Sequence, residues 1–201
     1  MIEFIIGTSL AASAGLNAWM PLFLLGLSDR LIPAVELPSS WAWISSDLAL
    51  WIIGALLALE IVADKIPALD SINDVVQSIM RPASGGIVFG AGTSAQTVAV
   101  DDPAGFFSQN TWVPIVVGIA IALVVHAAKS ATRVAANAVT GGLAAPVLST
   151  AEDAASFSLA AAAIIVPIVA GLLLIGLIIT VIVLMRRWRR RREAKAAAAH
   201  G

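Results

Sequence analysis

Long apolar runs, interrupted at a few polar positions, dominate the chain. Five of them approach the roughly 20 apolar residues that a helix needs to cross about 30 Å of hydrocarbon. The first, residues 2–28, carries Glu3 and a small, polar centre at Ser13, Gly15 and Asn17. The second, 48–63, lies between Asp47 and Asp64 and contains Glu60. The third, 83–100, is built from Gly, Ala, Ser and Thr and is closed by Asp101 and Asp102. The fourth, 112–128, holds His126, and the fifth, 154–185, is long enough to exceed one membrane thickness. Its Pro167 is expected to be accommodated inside one helix, as neighbouring helices allow in a bilayer. The pattern predicts an all-α, polytopic transmembrane helical bundle.

Composition sharpens this picture. The chain is 59% hydrophobic and 12% charged, whereas a soluble domain is nearer a quarter charged, and its mean hydropathy is +0.94. Disorder and a soluble nucleic-acid-binding domain are excluded, and with no cysteine there is no disulfide or thiolate metal site. The N-terminus lacks the basic n-region of a signal peptide. Seven of the twelve Lys and Arg lie in residues 186–201, so the C-terminal tail is expected in the cytoplasm. Arg186, Arg187, Arg189, Arg190, Arg191 and Arg192 set that topology and attract anionic lipid. Five single crossings then put Lys65, Arg81, Lys129 and Arg133 outside. A sixth, short or re-entrant pass through 131–147 restores the bias and leaves the N-terminus inside. Trp41, Trp43, Trp51 and Trp112, with Trp188 on the opposite face, read as interfacial anchors.

An offset of 64 positions aligns residues 54–82 with 118–146 and matches Gly54/Gly118, Lys65/Lys129, Asn73/Asn137 and Pro82/Pro146 among others. Gly7-Thr8-Ser9 is echoed by Gly92-Thr93-Ser94. The organisation expected is one membrane domain, 1–185, with related halves at about 5–82 and 90–147, a final helix at 154–185, and a basic tail at 186–201. Chance likeness in an Ala-rich chain is the competing account. Interrupted repeats mark many transporter folds, where the break lines a binding site.

The charges inside these segments carry the candidate chemistry. Glu60 and Asp64 are four residues apart and share a helical face, as do Asp70 and Asp74. His126, Lys129 and Arg133 form a basic stripe at the equivalent place in the second half. Two readings stand: a polar path for an ion, proton or lipid headgroup, or interfacial charges with the lysines snorkelling to water. Asn17 and Asn137 join the candidate path as amides expected inside the bundle, where helix-to-helix hydrogen bonding is the plainer use. Gly15 and Pro21 around Asn17 are placed to open a helix and free its carbonyls. Gly86 and Gly90 form a G-x-x-x-G pair expected to pack helices, within the chain or between protomers. Hydrolase, metalloprotease, P-loop and dinucleotide-binding motifs are all missing from the sequence, and with two histidines no His-rich metal site is expected. The sequence calls for no cofactor and no catalytic residue.

The stretches Ala14-Gly15-Leu16-Asn17-Ala18 with Pro21, Ala63-Asp64-Lys65-Ile66-Pro67 with Asp70, Arg81-Pro82-Ala83, and His126-Ala127-Ala128-Lys129 with Thr132, Arg133 and Asn137 resemble the bacterial membrane family domain of unknown function 4126, and a Glu152-Asp153 pair fits it too. The resemblance runs from about residue 8 to 185, and Asp-Lys-x-Pro is its most specific element. In that family a Ser-Pro-Glu-Pro-like turn follows the Asn; here Val139-Thr140-Gly141-Gly142 stands in its place. The resemblance implies a bacterial inner-membrane location and no catalytic residues. The leading expectation is a small transport or permeation protein for an ion, small solute or lipid headgroup. The alternative is an accessory or scaffold subunit of a larger membrane complex, and an intramembrane enzyme is the remote third. Expected partners are the bilayer, anionic lipid at the tail, and a homo-oligomer or membrane complex rather than nucleic acid.

Overall fold

A computed structural model describes residues 1–101, 103, 112–141 and 143–199, with the side chains of 67–72, 74, 139, 184, 185 and 188–199 left aside. Seven α-helices and no strand occur among the described residues. They are α1 (Ile2–Leu16), α2 (Met20–Leu31), α3 (Asp47–Ala63), α4 (Pro67–Ser94), α5 (Trp112–Thr140), α6 (Ala145–Ile165) and α7 (Pro167–Ala199), with a short 3₁₀ turn at Ala42–Ser45. Proline opens α4 and α7 and stands in the first turn of α2 and α6, where its missing N–H costs no helical hydrogen bond. Ser46 caps α3 by accepting the Ala49 N–H.

The helices alternate in direction around α1, whose residues from Ile6 to Leu16 are almost all buried. Gly7 lies against Thr93 and Gly92 against Leu10, so α1 and α4 are antiparallel and the two Gly-Thr-Ser echoes pack on each other. Arg30 pairs with Asp47, Gly54 meets Phe23, and Glu60 reaches Ala18, which sets α3 antiparallel to α2. A Cβ on Gly85 would overlap the Ala122 methyl and the Gly118 carbonyl. Only glycine lets the α4 and α5 backbones come this close. Gly86 packs on Ile115 and Ile119 of α5, and Gly90 on the Trp41 ring, so this glycine pair serves contacts within the chain. The chain turns back at Asn17 and returns through α2 to Glu36, which forms a bridge with Gln96 beyond the far end of α4. One end of the bundle therefore gathers the C-terminal parts of α1, α3 and α5 with the N-terminal parts of α2, α4 and α6.

Three sequence expectations are corrected. Residues 131–147 are not a separate pass. Residues 131–140 continue α5, Gly141 (φ +61°) ends it in the left-handed region, and Pro146 opens α6. The final segment is not one helix over 154–185. Pro167 cannot donate an N–H and disfavours helical geometry in the residue before it. Val166 accordingly sits at φ −139°, ψ 76°, and α6 and α7 form separate helices. The run 2–28, expected as one segment, is likewise two helices, and the break at residues 17–19 falls where Gly15 and Pro21 were expected to open it. Across the 64-residue offset, 54–82 holds a helix end, a turn and a helix start at Pro67, whereas 118–140 is continuous helix.

The outside is unusually apolar. Trp51 and Leu59 on α3, Val75 on α4, Val124 on α5, and Ile168, Leu172 and Ile179 on α7 are exposed. Trp43, Trp51 and Trp112 are exposed too, while Trp41 is half-buried in the core; the Trp188 side chain lies outside the described residues. By length and hydropathy, 112–138 and 145–165 are able to cross a membrane, and 2–16 and 167–183 are shorter apolar helices.

Candidate functional site

The break between α1 and α2 leaves backbone groups without helical partners, in the middle of the protein rather than at its surface. Several of them are met by side chains from other helices. The Leu16 carbonyl accepts the Lys129 ammonium at 2.8 Å. The Ala18 N–H donates to Glu60 Oε2 at 3.0 Å, and the Ala18 carbonyl accepts the Ser84 hydroxyl. Asn17 is itself the cap of α2, its Oδ1 accepting the Trp19 and Met20 N–H groups at 3.2 and 3.0 Å. The signs suit the helix ends. A cation sits at the electronegative C-terminus of α1 and a carboxylate at the electropositive N-terminus of α2.

Around this break four carboxylates meet four cations. Asp64 is the hub: Lys129 Nζ approaches its Oδ2 at 3.0 Å, Arg133 Nη2 at 3.1 Å and Arg81 Nη2 at 3.6 Å, while Asn73 donates to Oδ1 at 2.6 Å. Glu60 pairs with Arg81 at 3.0 Å. Glu152 binds Arg133 at 2.6 Å and Lys129 at 3.1 Å. Asp153 accepts from Asn17 Nδ2 and from Lys65, both at 3.0 Å. Arg81 also donates to His126 Nδ1 at 3.0 Å; a guanidinium only donates, so that ring nitrogen is the acceptor. The side chains of Arg81, Glu60, Asp64, Lys129 and Arg133 are at most 2% exposed. Burying charges at this density is costly unless each is paired, and here the pairing is mutual.

A hydroxyl seam continues from the cluster along α1. The Ser13 and Ser156 hydroxyls lie 2.8 Å apart, and each donates to the other's backbone carbonyl at 2.9 and 3.0 Å. Ser9, one turn further along α1, is fully buried and its hydroxyl has no partner among the described residues.

Among the residues singled out from sequence, Glu60, Asp64, Lys129, Arg133 and Asn17 come together here. Asn137 stands one turn beyond Arg133, its Oδ1 buried without a partner among the described residues. The side chains of Asp70, Asp74, Arg189, Arg190, Arg191 and Arg192 lie outside the described residues; Arg186 and Arg187 are exposed. Sequence reasoning missed Arg81, Glu152, Asp153 and Lys65 as members. Their signal was scarcity, because only five basic residues precede the tail and four of them are in this cluster.

A family description reading "domain of unknown function (DUF4126)" matches residues 4–187. The chain belongs to the DUF4126 family. No curated protein and no solved structure matches it. The cluster falls inside the stretch shared with DUF4126, so its residues are those to test for the role of this DUF4126 protein.

Proposed function

We infer that the protein is a multi-pass protein of the bacterial inner membrane that moves a small cation or proton through the cluster at the broken helix. An inverted arrangement supports the membrane reading: Arg81, Glu60 and Asp64 are buried while Trp51, Leu172 and Ile168 are exposed. Soluble monomers seldom expose apolar surface on this scale. In this reading α3 to α7 cross the membrane. Helices α1 and α2, about 22 and 18 Å long, are too short to span it and form a re-entrant hairpin. With the basic tail cytoplasmic, Met1 is outside, the reverse of the sequence expectation. Lys65, Arg81, Lys129 and Arg133 then fall on the cytoplasmic side without an added pass.

The observation that carries transport is the environment of the Lys129 ammonium. Three oxygens surround it at 2.8–3.1 Å: the Leu16 carbonyl at the break, Asp64 Oδ2 and Glu152 Oε2. Broken helices in transporters present freed carbonyls and half-helix ends to ions in this manner. Lys129 acts as a tethered cation that holds the site closed; when it swings away, the oxygens receive a mobile cation or proton.

The test is flux into proteoliposomes carrying the full chain, read with proton- and potassium-sensitive dyes. The wild type is expected to pass one of these ions, and Asp64→Asn with Lys129→Gln to abolish the flux while the protein stays folded. A folded wild type that passes neither ion refutes the proposal. Recovery of a stoichiometric membrane partner with such an inactive chain supports the accessory-subunit reading instead.

A further inference from the structure

On the flank of the bundle, α5, α6 and α7 splay apart and leave an open cavity of about 770 Å³. Its walls are apolar, with Val125 and Ala128 from α5, Ala151 and Ala155 from α6, and Leu177 and Ile182 from α7. The polar groups that reach it are already engaged. Thr132 and Thr180 donate to carbonyls of their own helices, and Lys129 and Glu152 bind each other. The cavity therefore suits hydrocarbon and offers little to a polar solute. Along α7 it extends from Leu174 to Ile182, about 12 Å, close to the roughly 15 Å depth of one leaflet's hydrocarbon. One turn past Ile182, Arg186 and Arg187 are exposed on the same helix. An apolar groove ending beside a pair of guanidinium groups complements a molecule with a hydrocarbon chain and an anionic head.

We propose that this groove is a binding site for one anionic phospholipid of the cytoplasmic leaflet. An acyl chain lies between α5, α6 and α7, and the phosphate is held by Arg186 and Arg187. The site rests on the membrane reading above but not on transport. A lipid wedged there closes the gap that the helices leave, next to the wall formed by Lys129 and Glu152. Its occupancy thus supports the packing of the charged cluster from outside.

The experiment is native mass spectrometry of the full chain, extracted from membranes in mild detergent and equilibrated with phosphatidylglycerol or phosphatidylcholine. The expected result is one retained phosphatidylglycerol per chain and little phosphatidylcholine. Arg186→Gln with Arg187→Gln is expected to weaken retention by roughly thirtyfold, at about 1 kcal/mol per basic residue near the surface. Ala151→Trp, at an exposed position of the groove wall, is expected to abolish it while the chain stays folded and monodisperse, and Ala131→Trp on the facing wall serves if that variant misfolds. Retention unchanged by groove filling, equal retention of both lipids, or a second copy of the chain in place of lipid each overturns the site. A chain that fractionates as soluble overturns the membrane reading itself, which separates the two failures.

Discussion

Neutralising Asp64 is the sharpest test of the buried cluster. Asp64→Asn keeps the shape of the side chain but removes the one charge shared by Lys129, Arg133 and Arg81, at 3.0, 3.1 and 3.6 Å. The replacing amide brings N–H groups toward cations that can only donate. Asp64 is 1% exposed, so water does not take its place, and removing one partner of a buried pair costs about 3–5 kcal/mol. For a chain of this size 1 kcal/mol moves the melting point by about 2–4 °C, so the variant should melt roughly 6–20 °C below wild type. Adding Lys129→Gln removes a surplus cation. The double variant should then be less destabilised than the two single changes summed, by about 1–3 kcal/mol of coupling. The assay is fluorescence-detected melting in detergent. Salt at 1 M should leave the wild-type value nearly unmoved, since buried pairs are poorly screened. A melting point for Asp64→Asn within about 1 °C of wild type, or strict additivity in the cycle, would refute the argument that these charges are buried and mutually paired.

Asn17→Ala should cost about 1 kcal/mol as a lost helix cap, measured by the same melts, with a further loss because Asp153 gives up its Asn17 hydrogen bond. Gly85→Leu should prevent folded protein from accumulating because the α5 backbone occupies the space, whereas Gly176→Leu, with nothing within 4 Å, should be neutral in size-exclusion profiles. The cysteine-free chain suits single-cysteine labelling of intact cells. A cysteine at Glu36 should react with an impermeant maleimide and one at Ala196 should not; the opposite result reverses the proposed orientation.

What the sequence made legible was local. Periodicity put Glu60 and Asp64 on one face and His126, Lys129 and Arg133 on another, because helical spacing depends only on near neighbours. That these faces meet is a property of topology. Lys129 and Arg133 reach Asp64 across 65 and 69 residues, and Asn17 reaches Asp153 across 136. Glu152 and Asp153 stand just before the fifth apolar run, which begins at residue 154. They in fact stand inside α6, which starts at Ala145. The error at 131–147 had a similar origin. The charge balance called for an extra pass, placed at 131–147, whereas Gly141 and Pro146 mark a simple helix-to-helix turn there. The extra helix comes instead from Pro167, expected inside a helix and found at the start of one.

The break at Asn17 and the charges around it require each other. Freed backbone groups in a dry interior cost free energy unless something strongly polar meets them, and buried charges need hydrogen-bond partners beyond their counter-ions. Lys129 satisfies Leu16 while pairing with Asp64 and Glu152, and Glu60 satisfies Ala18 while pairing with Arg81. An uninterrupted α1 would need neither Lys129 nor Glu60, so a chain that keeps the broken helix must also keep this ionic lining, and loss of either should expose the other.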